Sequence, residues 1–275
     1  MNNQQPRRVV ITGMGVISSI GIGVDKFWSA IQQSECGITD AKNYNTEDLQ
    51  IKIAGEVKNF DPKEEGLPKQ FLMADRYSQF AGMAAREAVL QSGMTMPLKP
   101  EDGMRAAAII GSGVGGINTL EDSYHGLFEL KKRATHPLTL LKTIGSSAPA
   151  HVSIEYGITG PVFGIVSACS TATHSIGLVY NMIRQGLVDF GLGGAAEASL
   201  AWGTTRAWQG MRVLSPVGLY PFSKRRNGTV LAEGSGILML EEYEHAKNRG
   251  ANILAELKGF GMTSDAADMV NPSID

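Results

Sequence analysis

Cys169 is the residue whose type and position most favour covalent chemistry. It follows a predicted strand over Val162–Val166 and begins the predicted helix from about Ser170 to Gln185. The positive end of a helix dipole stabilises a thiolate, which is the nucleophilic form of cysteine. Small neighbours (Ala168, Ser170 and Ala172) leave room for an acyl group beside the sulfur. Position alone is equally consistent with a second interpretation, in which Cys169 is a small buried apolar residue.

Other candidate nucleophiles, bases and metal ligands are weaker. His174 comes five residues after Cys169, more than one helical turn on, so its pattern favours helix packing over a role as base. Cys36 lies in a turn-like segment without a following helix, which is typical of an inert thiol. The sequence contains neither HExxH nor CxxC, and we therefore predict no metal site.

A glycine-rich run, Gly111–Gly116, matches the GxGxxG pattern after a predicted strand. A dinucleotide site also requires an acidic residue about 20 positions further on, to bind the ribose. Glu121 and Asp122 come too early for that role. The favoured interpretation is a tight turn at which backbone segments pass closely.

Alternating strands and helices position these residues. The predicted strands are Arg8–Ile11, Ala106–Ile110, Val162–Val166, Phe190–Gly194, Ile237–Leu240 and Ile253–Met262. The predicted helices are Arg76–Gln91, with Asp75 as its cap and Ser92-Gly93 at its end, Ser170–Gln185 and Glu242–Arg249. This alternation predicts an α/β layered fold with a largely parallel sheet.

Composition excludes several classes of protein. The 275 residues include 25 basic and 27 acidic side chains, and this near-neutral balance argues against nucleic-acid binding. Apolar runs such as Ala106–Ile110 are far shorter than the ~20 residues of a membrane span. Two cysteines cannot form a disulfide framework, and Met1–Arg8 is polar. We therefore expect a cytoplasmic protein without an integral membrane segment.

Several motifs, taken in order, resemble those of the β-ketoacyl-acyl-carrier-protein synthases, the condensing enzymes of the thiolase superfamily. These motifs are Arg8–Ser18, Gly111–Gly116, Gly157–Pro161, Ser167–His174, Gly193–Glu197, Pro221–Gly228, Leu240–Gly250 and Thr263–Pro272. Each motif alone is weak, but their order and spacing together are specific. Within the family, Gly160–Gly164 and Ala207–Ser215 look most like the nodulation-type branch of specialised ketosynthases.

The resemblance implies a decarboxylative condensation. Cys169 would accept an acyl group from the phosphopantetheine thiol of an acyl carrier protein, and the carbanion from malonyl-carrier protein would then attack that acyl thioester. The backbone N–H of Cys169 would form part of the oxyanion hole. The resemblance implies no cofactor, and it places Val114, Leu140 and Trp208 along the acyl pocket. The GxGxxG run would then belong to that pocket.

The resemblance also implies a thiolase-like layered αβαβα fold built from two similar halves. Residues 1–250 would form the N-terminal half, and residues 251–275 would begin the C-terminal half. Family members are much longer, and their catalytic histidines, a supporting lysine and a Gly-Phe-Gly loop lie in the second half. We therefore expect this chain to be a truncated portion of a longer synthase, unable to condense on its own.

An acyl carrier protein and a second ketosynthase subunit, in a homodimer or a heterodimer, are the expected partners. Two basic runs, 131–133 and 224–226, are typical of solvated loops, and the alternative is that either one steers an acidic partner toward the site. Two departures from the family pattern are Ser223, where Asp is usual, and Ala232, where Gly is usual. The segment before Asp75, a common carrier-protein surface, is only mildly basic.

Two other functions stay open at this point. One is a non-catalytic partner, such as a chain-length factor or a truncated pseudoenzyme, but such partners typically lack the cysteine. The other is a thiolase that acts on coenzyme A esters. The Ser-Ala-Cys-Ser run at 167–170 fits the synthases better than the thiolases.

Overall fold

A computed structural model describes residues 6–268, 270–271 and 273. The strands are β1 (Val9–Ser18), β2 (Gly21–Ile22), β3 (Thr39–Asp40), β4 (Ile53–Ala54), β5 (Ala106–Gly111), β6 (Val162–Phe163), β7 (Phe190–Glu197), β8 (Gly234–Glu242) and β9 (Ala255–Leu257). The helices are α1 (Val24–Gln32), α2 (Lys69–Leu72), α3 (Arg76–Ser92), α4 (Pro100–Gly103), α5 (Ile117–Phe128), α6 (Thr139–Thr143), α7 (Ser147–Tyr156), α8 (Thr171–Arg184), α9 (Trp202–Gly210) and α10 (Tyr243–Asn248). A short 3₁₀ turn, Ala168–Ser170, precedes α8.

The central sheet has the strand order β2-β1-β8-β7-β5-β6, and β9 pairs with β1. Pairing is parallel between β5 and both β6 and β7, but β8 runs antiparallel to β7 and to β1. The prediction of a largely parallel sheet is therefore wrong. Glu197 lies opposite Gly234, so the connection between β7 and β8 returns to the sheet edge that it left. For β7 and β8 to be parallel, the connection would have to cross from the end of β7 to the opposite ends of the strands, and it does not.

Helices cover both faces of the sheet. Helix α3 packs on β1, β8 and β7 together with α7, and α8 packs on the opposite face against β7 and β5. Each face has its own apolar core, in which α3 contributes Phe80 and Ala84, and α8 contributes Val179 and Ile183. Glycines let α3 approach β1 closely, because a Cβ at Gly13 would overlap the carbonyl of Ala88. The described residues thus form the layered α/β arrangement that strand–helix alternation predicts.

The elements with strong local signals lie close to their predicted positions. Helix α3 begins after Asp75, whose carboxylate accepts a hydrogen bond from the Tyr77 N–H, and ends at the left-handed Gly93. Strand β5 is buried throughout, as a continuous apolar run predicts. Helices α1, α5, α7 and α9 are not among the predicted elements. In none of these four helices does the residue before the helix cap it through a side-chain hydrogen bond.

Strand limits differ most at the sheet edges. The strand predicted over Val162–Val166 is only Val162–Phe163, because Gly164 leaves the sheet to pass over the carbonyl of Gly145. The last predicted strand, Ile253–Met262, is reduced to β9. By contrast, β1 continues beyond Ile11 to Ser18 through an irregularity in its pairing with β8.

The segment 251–275, predicted to begin a second half, is described in part. Its β9 pairs with residues 9–11 of β1, and Phe260 lies against α8. Met269, Pro272 and residues 274–275 lie outside the described residues. Among the helices of the described residues, none combines the length and apolar character needed to cross a bilayer.

Candidate active site

Cys169 lies on a strained turn and is exposed. The preceding residue, Ala168, has a φ of 48°, a region that side chains other than glycine seldom occupy. Helix α8 begins directly after the turn, at Thr171. The thiol of Cys169 is free and solvent-exposed, so its interpretation as a buried apolar residue is wrong.

Ser167 organises this turn. Its carbonyl accepts a hydrogen bond from the Ser170 N–H at 3.0 Å, and its own N–H donates to Oγ1 of Thr171 at 2.9 Å. Two backbone hydrogen bonds close the turn: the one from the Ser170 N–H to Ser167, and a second from the Thr171 N–H to the carbonyl of Ala168. The Cys169 N–H lies outside those two bonds. The turn is therefore held without the side chain of Cys169 or its backbone N–H.

His174 supports the turn from within α8. Its Nδ1 lies 2.7 Å from Oγ of Ser167. Its ring contacts Phe260 edge-on, with 6.0 Å between the ring centroids. Phe260 also covers Gly177, where any Cβ would overlap the aromatic ring. These contacts agree with the packing role predicted for His174.

The glycine-rich turn lies beside the start of α8. A Cβ at Gly111 would overlap Cγ2 of Thr171 and would lie 2.7 Å from the carbonyl oxygen of Ile165. Real Cβ atoms do not approach other atoms so closely, so this contact requires glycine. Since Thr171 follows Cys169 by two residues, the end of β5 and the Cys169 turn meet at one edge of the sheet.

Glu197 occupies the N–H groups of the glycine-rich turn. Its Oε2 accepts a hydrogen bond from the Gly113 N–H at 2.7 Å, and Oγ of Ser112 lies 3.3 Å from its Oε1. Burial raises the pKa of Glu197, and the hydrogen bonds from Gly113 and Ser112 oppose that rise. Helix α5 does begin after this turn, as a dinucleotide site would require, but a carboxylate of the chain itself fills the position of a phosphate. The arrangement favours the structural turn over the nucleotide site.

Val114 and Leu140, two predicted pocket residues, lie on neighbouring segments. Val114 is at the tip of the glycine-rich turn with 52% of its surface exposed, and Leu140 lies on α6 with 72% exposed. The Gly116 N–H donates to the carbonyl of Thr143 at 3.0 Å, which ties the turn to the end of α6. Val114 and Leu140 therefore lie at the same ends of the strands as the Cys169 turn.

Trp208 is on a different element. It is half-buried on α9, and the neighbouring Gln209 accepts a hydrogen bond from the Ile51 N–H at 2.9 Å. The structure thus ties α9 to the segment around residue 51 and not to the Cys169 turn. A role of Val114, Leu140 and Trp208 in an acyl pocket stays a prediction.

Two features of this region were not predicted from the sequence. One is the role of Glu197, whose motif was noted without a function for the carboxylate. The other is a cavity of about 870 Å³ between residues 43–48, α5 and the start of α9, lined by Tyr44, Leu120, Tyr124, Phe128 and Trp202 among others. The apolar spacing along α5 (117, 120, 124 and 128) was a signal that could have indicated the second feature.

The histidines are dispersed over the fold. His125 lines the 870 Å³ cavity, His151 packs on Phe71, and His245 lies 2.6 Å from the buried carboxylate of Glu241. Within the part of the chain that the structure describes, no three His, Cys, Asp or Glu side chains are grouped to hold a metal ion.

Comparison with known families identifies the family of this chain. The sequence profile of the beta-ketoacyl synthase N-terminal domain matches residues 6–246. The chain belongs to the beta-ketoacyl synthase family. Known ketosynthase structures share its fold, which confirms the predicted thiolase-like architecture.

Similar curated proteins carry two different names. It is 38% identical over 269 residues to nodulation protein E of Rhizobium leguminosarum bv. trifolii, and 36% identical over 275 residues to 3-oxoacyl-[acyl-carrier-protein] synthase 2 of Vibrio cholerae. Each match covers 98% of this chain and 66% of the relative. The chain therefore spans just under two thirds of the length of these curated relatives.

A solved structure is similar over most of the chain. It is the complex of a type II PKS acyl-carrier protein with its ketosynthase bound to the hexaketide. The similarity has a TM-score of 0.77 at 32% identity, and it covers 92% of this chain and 62% of that chain. That Cys169, within the Ser167–His174 motif, is the reactive residue of the candidate site stays a prediction.

Proposed function

We propose that this chain carries the nucleophile of a β-ketoacyl-acyl-carrier-protein synthase. The observation that carries the proposal is the exposed thiol of Cys169, on a strained turn at the start of α8, in a chain of this family. The dipole of a helix favours negative charge at its N-terminus, and the hydrogen bonds around Ser167 hold the turn without using the sulfur.

The first step of the proposed reaction is acyl transfer to Cys169. The thiolate sulfur attacks the carbonyl carbon of an acyl thioester on phosphopantetheine and forms a new C–S bond. The C–S bond to pantetheine then breaks, and pantetheine leaves as a thiolate that takes up the proton lost earlier by the Cys169 thiol. The Cys169 N–H, which takes no part in closing its turn, would donate to the oxyanion of the tetrahedral intermediate.

The second step is condensation with malonyl-carrier protein. The bond to the carboxylate breaks, CO₂ leaves, and the electron pair stays on the α-carbon. This carbon attacks the carbonyl of the Cys169 thioester, and the cysteine sulfur departs as a thiolate. Because loss of CO₂ drives the step, the proposal includes no cofactor. We propose that the groups that activate malonyl-carrier protein lie outside the residues described above.

An acyl carrier protein is the proposed macromolecular partner. Support comes from the similar solved structure, in which a ketosynthase is in complex with an acyl-carrier protein. The basic runs 131–133 and 224–226 are exposed, which suits an acidic partner.

The proposed compartment is the cytoplasm, because two free thiols suit reducing conditions.

A homodimer is the proposed assembly. Strand β6 lies at one end of the sheet order, and the residues from the end of α5 to α6 expose large apolar side chains such as Phe128, Leu130 and Leu141. Exposed apolar patches of this kind favour protein contacts. Sedimentation velocity of the purified chain should give the mass of a dimer, and a monomer at every concentration tested would contradict the proposal.

Acyl transfer to the intact chain tests the proposed function. The chain is incubated with an acyl-pantetheine thioester, and the mass of the protein is measured. We expect the mass of one acyl group to be added to the wild type and to Cys36→Ala, but not to Cys169→Ala. Cys36 is a matched control because both thiols are free and exposed. A Cys169→Ala protein that still gains the acyl mass, or a wild type that never gains it, would overturn the proposal in favour of a non-catalytic partner.

A further inference from the structure

We propose that Glu197 is a positioning residue that holds one wall of the acyl site, the glycine-rich turn 112–116, against the Cys169 turn. This inference rests on the proposed function, because it assumes that Cys169 carries an acyl chain. Glu197 itself does not touch the sulfur in this account. It acts through the backbone of the turn that bears Val114.

The contacts of Glu197 are directed at the turn. One carboxylate oxygen accepts the Gly113 N–H at 2.7 Å, and the backbone N–H of Val114 and the hydroxyl of Ser112 also bind the carboxylate. A side chain at Gly113 would displace the carboxylate, since a Cβ there would lie 2.7 Å from Oε2 of Glu197. A glycine and a carboxylate 84 residues apart in sequence are thus matched to each other.

Ser112 extends the contact further into the turn. Its hydroxyl accepts a hydrogen bond from the Gly115 N–H at 2.9 Å while it lies 3.3 Å from the Glu197 carboxylate. On the other side of the turn, the Gly116 N–H binds the carbonyl of Thr143. The turn is therefore held from two sides, and Val114 projects from its tip with half of its surface exposed.

The position of this turn gives Glu197 its proposed effect. Gly111, directly before the turn, contacts Thr171, two residues after Cys169. An acyl chain attached to Cys169 and lying along this edge of the sheet would run beside Val114. If the turn is released, its wall gives way and a longer chain fits more easily. Glu197 would therefore influence which acyl lengths are accepted, without changing the nucleophile.

The experiment compares the intact wild-type chain with Glu197→Ala, Glu197→Gln and the control Glu121→Ala. Glu121 is a matched control because its carboxylate also accepts two backbone N–H groups, those of Trp202 and Gly203, on another segment. Three quantities are measured: hydrogen exchange of the amides at 113 and 114, acyl transfer from a medium-chain and a long-chain acyl-pantetheine, and alkylation of Cys169 by iodoacetamide.

For Glu197→Ala we expect exchange at residues 113 and 114 to become about tenfold faster, because a hydrogen bond to a charged group is lost. The ratio of long-chain to medium-chain acyl transfer should also rise. We expect a rise of roughly tenfold, which is the selectivity that one methylene group gives in a hydrophobic pocket. Glu197→Gln retains an acceptor oxygen and should restore most of both effects. Glu121→Ala should match the wild type, and iodoacetamide should alkylate Cys169 at the same rate in all variants.

Unchanged exchange or an unchanged acyl-length ratio in Glu197→Ala would overturn the inference while leaving the proposed function intact. A wild type that accepts no acyl group would overturn the proposed function and, with it, the effect of Glu197 on acyl length. Hydrogen exchange at residues 113 and 114 tests separately whether Glu197 holds the turn. If Glu197→Ala does not fold, Ser112→Ala removes the hydroxyl that links Glu197 to Gly115, and the same outcomes apply to it.

Discussion

Two strand-to-helix junctions lie side by side at one edge of the sheet, and they differ in what occupies them. The first junction, Gly111–Gly116, connects β5 to α5, and its N–H groups bind the Glu197 carboxylate and the Thr143 carbonyl. The second junction, Gly164–Ser170, connects β6 to α8 and presents an exposed thiol. Both sequences suggest a ligand-binding or catalytic turn, but only the second presents a free reactive group.

The difference indicates that the first junction has a structural role and that the second presents the group proposed to react. In the first junction, glycines allow close contacts, and internal groups satisfy the backbone. In the second junction, a non-glycine residue, Ala168, adopts a left-handed conformation, and the bonds around Ser167 hold the turn. Strain of this kind persists only where surrounding contacts impose it, which is typical of functional sites.

The contact between the two junctions should be the most sensitive point. Gly111→Ala would place a Cβ into Thr171 and the Ile165 carbonyl, and we expect it to lower the free energy of unfolding by about 2–3 kcal/mol. Gly145→Ala is the matched control, because a Cβ there meets no atom within 4 Å. Urea unfolding of both variants makes the measurement. Equal stability of the two variants would show that the junctions do not depend on each other.

Within the first junction, Gly113 and Glu197 should be energetically coupled. We expect Gly113→Ala to lower the free energy of unfolding by about 1–2 kcal/mol in the wild type, because its Cβ would press on the carboxylate. The same substitution should cost clearly less in Glu197→Ala, where that carboxylate is absent. A double-mutant cycle from urea unfolding measures this difference. Additive costs would contradict the proposed contact.

Within the second junction, the strain at Ala168 predicts an unusual response to glycine. Ala168→Gly should raise the free energy of unfolding by about 0.5–1 kcal/mol, because relief of a left-handed alanine exceeds the entropy that glycine costs. Ala172→Gly, at the second residue of α8, relieves no strain and should instead lower it slightly. Thermal and urea unfolding distinguish the two. A destabilised Ala168→Gly would mean that the turn is not strained.

The smallest expected effect is a pH dependence that belongs to the first junction alone. Burial raises the pKa of Glu197, so the folded state keeps its proton to higher pH than the unfolded state does. As pH rises above the ordinary glutamate pKa and through the folded value, the wild type should lose stability relative to Glu197→Gln. Urea unfolding of both proteins across the acidic range tests this. A stability difference that stays constant or moves in favour of the wild type would contradict it.

Local signals made parts of this fold predictable. Asp75 and Gly93 at the two ends of α3, and the unbroken apolar run of β5, each act over a few residues. The direction of β8 was not predictable in this way, because it depends on the path of the connection between Glu197 and Gly234. Alternation of strands and helices does not distinguish a crossover from a connection that returns to the same edge.

The candidate site was predictable to a similar degree. The position of Cys169 before a helix is a local property of its sequence, and the structure places it there. The hydrogen bond between Glu197 and Gly113 joins residues 84 positions apart, and no local pattern encodes such a pair. The conformation of Ala168 likewise depends on bonds made by Ser167 to Thr171 and His174.

The central claim is that, within the residues that the structure describes, the second junction presents the reactive group and no other segment does. The most direct measurement is peptide mapping of the wild-type chain after a limited reaction with an acyl-pantetheine thioester, with the occupancy of Cys169 compared with that of Cys36. The account predicts acylation of Cys169 far in excess of Cys36, although both thiols are exposed. Equal occupancy of the two cysteines, or preferential acylation of Cys36, would contradict it.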